Sequence, residues 1–222
     1  PSTGFDADLG DRIDYKDGEI GYYFAGSYSR TSNHRDNGIL DSSSYTGNYD
    51  RTEDTVSVNG YGVLGYEYDS GEVLSKTTLL RSTDDVTKRT IGIDKEGKQQ
   101  SNYMLQYAER QLISQSFSGF NEFVTAGLDS MFDWRFGYSQ TDRVEPDRRT
   151  YDVQSNQLLG NTLNRRWTDL NEVSKDIGMD LSLSNDWGED NFATLKFGGL
   201  LSQKDREVAM YRFGVTGLND ET

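Results

Sequence analysis

The chain has 222 residues, a formal net charge of −14, two prolines and no cysteine. Without thiols it has no disulfide, zinc–thiolate site or cysteine nucleophile, and its acidic field disfavours nucleic acid as a partner. Mean hydropathy is −0.79 and only 33% of residues are apolar, yet 12% are aromatic, which argues against wholesale disorder.

Residues 1–16 read as an acidic, irregular start with a short strand around 12–15. The string Asp6-Ala7-Asp8-Leu9-Gly10-Asp11 imitates a calcium loop, but Gly10 stands where the third oxygen ligand belongs, so a solvated terminus is expected. After a tight turn at Asp17-Gly18, residues 19–30 alternate. Ile20, Tyr22, Phe24 and Tyr28 fall on one face, with Gly21, Ala25, Ser27 and Ser29 on the other. Tyr23 breaks the pattern. The polar stretch 31–51 is expected as a long loop. It holds His34, the single histidine, which has no second His or Cys to join it on a metal.

In residues 54–68, Val56, Val58, Leu64, Tyr66 and Tyr68 lie opposite Thr55, Ser57, Asn59 and Glu67. Tyr66 and Tyr68 precede the turn Asp69-Ser70-Gly71, where an aromatic girdle would sit in a membrane barrel. Residues 73–85 return as a strand whose faces Lys76 and Arg81 blur, and 86–100 read as a second long loop. The fourth strand, 100–123, starts with Tyr103, Leu105 and Tyr107 and loses its alternation after Glu109-Arg110-Gln111. The fifth, 127–142, sets Leu128, Phe132, Trp134, Phe136 and Tyr138 against Asp129, Asp133, Arg135 and Ser139. A third polar stretch covers 143–172. In 173–185, Ile177, Met179, Leu181 and Leu183 oppose Asp176, Gly178, Asp180 and Ser182. A compact turn is expected at Asn185-Asp186-Trp187-Gly188-Glu189-Asp190. In 191–212, Ala193, Leu195, Phe197 and Leu201 then oppose Lys196, Gly198 and Ser202.

Short turns at one end and long loops at the other describe an all-β, antiparallel up-and-down meander of about seven long strands, part of a large transmembrane β-barrel. Soluble sandwiches turn more often, every ~8–12 residues. Alternation alone does not separate the two, because a sheet packed on a soluble core alternates as well. The chain reads as a single segment, 1–222, without a second domain. It opens at Pro1 with no signal peptide in view, so an internal excerpt of a barrel domain is expected.

No Ser-His-Asp set, Gly-x-Ser-x-Gly elbow or P-loop occurs, so neither an enzyme nor a cofactor is expected. The third polar stretch does concentrate cations: Arg143, Arg148, Arg149, Arg165 and Arg166. Arginine forks suit carboxylate or phosphate groups, which makes these five the candidate ligand contacts. Pairing with Glu145, Asp147 and Asp152 is the structural alternative.

Two stretches carry a family likeness. One is Tyr107-Ala108-Glu109-Arg110-Gln111-Leu112, followed by Gln115 and Gly119. The other is Phe132-Asp133-Trp134-Arg135-Phe136-Gly137-Tyr138-Ser139, followed by Glu145-Pro146-Asp147-Arg148-Arg149. In this order they resemble the barrel region of bacterial TonB-dependent outer-membrane receptors, with Phe120-Asn121 where such receptors often carry a His. The resemblance implies a barrel filled by an N-terminal plug domain, taking up iron–siderophore complexes, cobalamin or oligosaccharides with energy delivered through TonB. Neither plug nor TonB box is recognisable here. The implied partners are outer-membrane lipid, a small nutrient bound by extracellular loops, and the plug and TonB of the full-length protein. An excised sheet has two open edges, so self-association of the isolated chain is expected. The rival expectation is a soluble, secreted all-β binding module, for carbohydrate, that buries some of its aromatics and displays others.

Overall fold

The computed structural model describes residues 2–42, 45–186 and 192–214. Nearly all of them are extended. The strands are β1 (Ser2–Tyr15), β2 (Gly18–Ser42), β3 (Tyr45–Tyr68), β4 (Gly71–Asp94), β5 (Gln99–Thr125), β6 (Leu128–Gln154), β7 (Gln157–Leu158), β8 (Asn164–Asp186) and β9 (Phe192–Gly214). A single 3-10 turn (Gly160–Thr162) precedes β8. All pair antiparallel in one sheet of order β1-β2-β3-β4-β5-β6-β8-β9, with the two-residue β7 folded back on β6. The sheet is open: β1 and β9 each have one strand neighbour among the described residues.

Two sequence expectations are corrected. Among the described residues the sheet has nine strands rather than about seven, because residues 2–15 form a full strand against β2 and the short β7 folds back on β6. Phe5, Ala7, Leu9 and Ile13 alternate with Asp6, Asp8, Gly10, Arg12 and Asp14; the acids disguised a two-residue period as a solvated terminus. The three long polar stretches are also mostly strand. β2 continues to Ser42, β4 to Asp94 and β6 to Gln154, and described turns close β4 onto β5 and β6 onto β7. Ladder hydrogen bonds join main chains and require no apolar side chain, and cross-strand polar pairs suffice. His34 Nδ1 meets Thr52 Oγ1 at 2.8 Å, and Arg35 donates to Tyr49 Oη at 2.8 Å. The expected compact turn lies outside the described residues from Trp187 onward.

At the other end tight turns join β1 to β2, β3 to β4 and β5 to β6. Ala126 and Gly127, with φ of 52° and 78°, link β5 to β6; two left-handed residues in succession match the right-handed twist of a hairpin. The strands they join are long. β2 to β6, β8 and β9 run 23 to 27 residues, against about 5–6 in globular proteins.

The sheet is a single layer. Among the described residues only Val86 and Ala108 are buried hydrophobics, whereas a soluble domain covers its apolar face with a second layer. Cross-strand register puts most of the apolar residues together on one face. One row reads Ile13, Ile20, Tyr66, Val73, Gly119, Trp134, Met179, Gly199; the next reads Asp11, Tyr22, Leu64, Ser75, Phe117, Phe136, Ile177, Leu201. Asp11, on the edge strand, is the charged exception. Aromatics cluster near the tight turns, with Tyr66 stacked on Tyr68 at 5.5 Å and Tyr15 edge-on to Tyr66 at 6.5 Å.

The far boundary of this apolar zone does not follow a row. On β1, β2 and β3 it extends to Phe5, Tyr28 and Val56; on β6 the unbroken run ends at Tyr138 and on β9 at Leu201, with Val144, Tyr211 and Phe213 forming a separate apolar patch farther out on the same face. Register places Tyr28 three rows beyond the row of Leu201, since Tyr28 leads across the sheet through Arg81, Gln111, Asp142 and Asn171 to Glu207. The zone therefore slants across the strands.

Candidate ligand-contact site

The opposite face carries most of the charged side chains together with a minority of apolar ones, among them Tyr23, Tyr61, Leu80 and Leu200, and its charges are segregated along the strands. Near the tight turns one row carries Asp14, Glu19, Glu67, Glu72, Phe120, Asp133 and Asp180. Two cations reach it: Arg12 sits 3.2 Å from Glu19 and Arg135 2.8 Å from Asp180. Midway, Thr55 and Arg110 both bond Asp84, and Lys204 pairs with Glu172 at 2.8 Å. No cluster of three metal-ligating side chains occurs among the described residues.

The five candidate arginines lie beyond these pairs, where β5, β6 and β8 shift register. Between Leu105 and Glu109 on β5, and between Glu145 and Arg148 on β6, the pairing slips: Pro146 and Asp147 stand opposite Trp167 alone, one residue more than the partner strand has. Asp147 takes a left-handed φ of 56° there. A bulge reverses the alternation of the residues beyond it, so the arginines do not form one site.

Arg143, Arg148 and Arg166 lie on the polar face around Glu145, which is 1% exposed. Arg166 and Gln106 both donate to the Glu145 carboxylate, at 2.7 Å and 2.6 Å, and Arg143 lies 3.7 Å from it. Among the described residues, Arg148 reaches only the Met104 sulfur, at 3.4 Å. The Nε atoms of Arg143, Arg148 and Arg166 are buried without a partner. A buried carboxylate is tolerable only when paired and hydrogen-bonded, which the two donors and the nearby guanidinium provide. Arg149 and Arg165 lie on the apolar-bearing face, outside the apolar zone. Both grip Asp147: Arg165 through Nε and Nη2, each at 2.6 Å, and Arg149 through Nε at 2.8 Å. Arg165 also stacks on Trp167, 4.9 Å from the ring centre.

Of the expected internal pairs, those with Glu145 and Asp147 form. Asp152 instead accepts from Asn102, while its main-chain N–H bonds Thr162. Sequence reading missed Gln106 and Met104, which carry no motif and enter the site through cross-strand register alone. His34 bonds Thr52 and, through Nε2, Asp36 at 2.8 Å, as an exposed surface residue.

Arg165 and then Arg149 hold the Asp147 carboxyl well below the usual carboxylate range, by hydrogen bonds that favour its charged form. A depressed folded pKa gives stability that is present above the unfolded value near ~3.9 and is lost only as pH falls through the folded value. Hydrogen-exchange protection of the β6–β8 register shift, taken relative to the intrinsic rate at each pH, is therefore expected to stay flat from neutral pH to about pH 4 and to fall below that. Asp147→Asn is expected to exchange faster throughout and to lack the acid limb. An acid limb preserved in the variant contradicts the assignment.

No protein-family model matches this chain, and no curated protein or solved structure is detectably similar to it.

Proposed function

We propose that this chain is a stretch of outer-membrane β-barrel wall from an active-transport receptor of the TonB-dependent kind, which admits a scarce nutrient of the iron–siderophore, cobalamin or oligosaccharide class. The slant of the apolar zone carries the membrane part of this reading. Its boundary drops three rows from β2 to β9, roughly 20 Å at about 3.3 Å per residue, across six strand spacings of about 4.8 Å, or roughly 29 Å. The resulting slope of about 35° is the tilt that barrel closure imposes on strands. A lipid slab cuts tilted strands along such a line; a core packed under the sheet has no reason to.

The height of the zone agrees. On β3 it runs from Val56 to Tyr68, roughly 40 Å along the strand and about 30 Å once projected at that tilt. The apolar band of outer-membrane barrels is about 25 Å tall and flanked by aromatic girdles. Apolar-out and polar-in is also the arrangement a water-filled or plugged lumen requires. The receptor part of the proposal rests on the motifs around Tyr107 and Trp134.

Light scattering and far-UV circular dichroism, with and without mild detergent, test the reading. We expect aggregated or poorly folded chain in plain buffer and a gain of β signal in detergent. A monomer with a cooperative melt in plain buffer would sink the membrane reading in favour of a soluble binding module.

A further inference from the structure

We infer that the polar face carries, at the end remote from the tight turns, a belt that binds a small soluble polyanion bearing two or more phosphate or carboxylate groups about 5–10 Å apart. The proposal deepens the receptor reading, in which this face is the inner one, by naming a ligand class. Two adjacent cross-strand rows form the belt. In the first, Arg148 lies directly opposite Arg166, and Arg166 opposite Arg212. In the second, Arg35 lies opposite Arg51, and Arg51 opposite Lys88. Lys88 is paired with Met104, whose sulfur takes the Arg148 guanidinium, so the rows share one face and touch.

Like charges set directly opposite each other destabilise a sheet, and here two successive rows do so. Among the described residues, the only carboxylates joined to these six cations are Glu53, 3.0 Å from Arg51, and Glu145, 2.7 Å from Arg166. Arg35 bonds the Tyr49 hydroxyl and Lys88 lies over the Tyr49 ring at 5.2 Å. This surplus sits in a chain of net charge −14, so it is local and not compositional. Strands about 4.8 Å apart place three abreast arginines over roughly 10 Å, the span of a tripolyphosphate or an oligocarboxylate. Lipid headgroups offer the same chemistry, but the apolar zone that would meet lipid is on the other face.

The test is calorimetric titration of the whole chain in dodecyl maltoside micelles, at constant ionic strength, with tripolyphosphate and with orthophosphate. Tripolyphosphate is expected to bind at least about tenfold more tightly, and Arg212→Gln and Lys88→Gln each to weaken it about tenfold. Neither variant disturbs Glu145. Arg149→Gln, on the opposite face, should leave binding unchanged. Equal affinity for the two anions, or an Arg149→Gln loss matching that of Arg212→Gln, overturns the belt. Competition by phosphatidylglycerol vesicles overturns it too, by making the site a headgroup site. Detergent-dependent folding without anion binding removes the belt and leaves the membrane reading standing. Binding by a folded monomer in plain buffer does the reverse.

Discussion

Ile177→Arg is expected to destabilise the chain folded in a lipid bilayer by about 2–4 kcal/mol, a roughly 30- to 1,000-fold fall in the folding equilibrium. Ile177 lies between Phe136 and Leu201 in its cross-strand row, on the face that carries the apolar zone. It is 43% exposed in the sheet, so no described residue packs over it, and on the proposed membrane reading lipid is the partner it would lose. A guanidinium placed there must leave water or drag water in. Thr87→Arg is the control: it sits on the same face beyond the zone, opposite Thr52, and should cost no more than about 0.5 kcal/mol. Urea titrations in vesicles measure both. Equal costs would mean that the apolar rows do not face hydrocarbon.

The second large effect is expected at Glu145. Glu145→Leu should cost about 3–5 kcal/mol, because it strips the half-buried guanidinium of Arg166 of its carboxylate and leaves Gln106 without its acceptor. Adding Arg166→Leu should recover most of the loss, since replacing a whole buried pair by apolar groups is far cheaper than breaking it. Glu96→Ala, which removes an exposed ion pair with Lys98, should cost less than about 1 kcal/mol. The midpoint of urea unfolding reads all three. Should Glu145→Leu cost no more than Glu96→Ala, the carboxylate does not hold the register shift together.

Strand alternation was legible wherever one face was apolar. The sets Phe132-Trp134-Phe136-Tyr138 and Ile177-Met179-Leu181-Leu183 lie on a common face, as their spacing implies. The far halves of the strands were not legible, because residues such as 31–38 and 87–90 are polar on both faces and a two-residue period in hydropathy vanishes there. β1 was hidden by its acids. The arginine cluster misled for a different reason. Arg148 and Arg149 are neighbours in sequence, and neighbours in a strand point to opposite faces. Which arginines stay together is decided by the slip between Glu145 and Arg148, and no hydropathy pattern marks it. Arg212 joins Arg148 and Arg166 only through the register of β9 against β8.

Whether the apolar face meets lipid hydrocarbon can be read from fluorescence quenching by brominated acyl chains. Two variants suffice: one retains only Trp134, the other only Trp167, with the remaining tryptophans replaced by Phe. Trp134 lies in the apolar zone in the cross-strand row of Tyr66, within the aromatic band near the tight turns, whereas Trp167 lies beyond the zone, edge-on to Phe213 at 5.4 Å. A lipid-facing zone requires strong quenching of Trp134, greatest for bromines placed near the headgroup end of the chain, and little quenching of Trp167 at any depth. Trp134 quenched no more than Trp167 would mean that this face does not meet the bilayer.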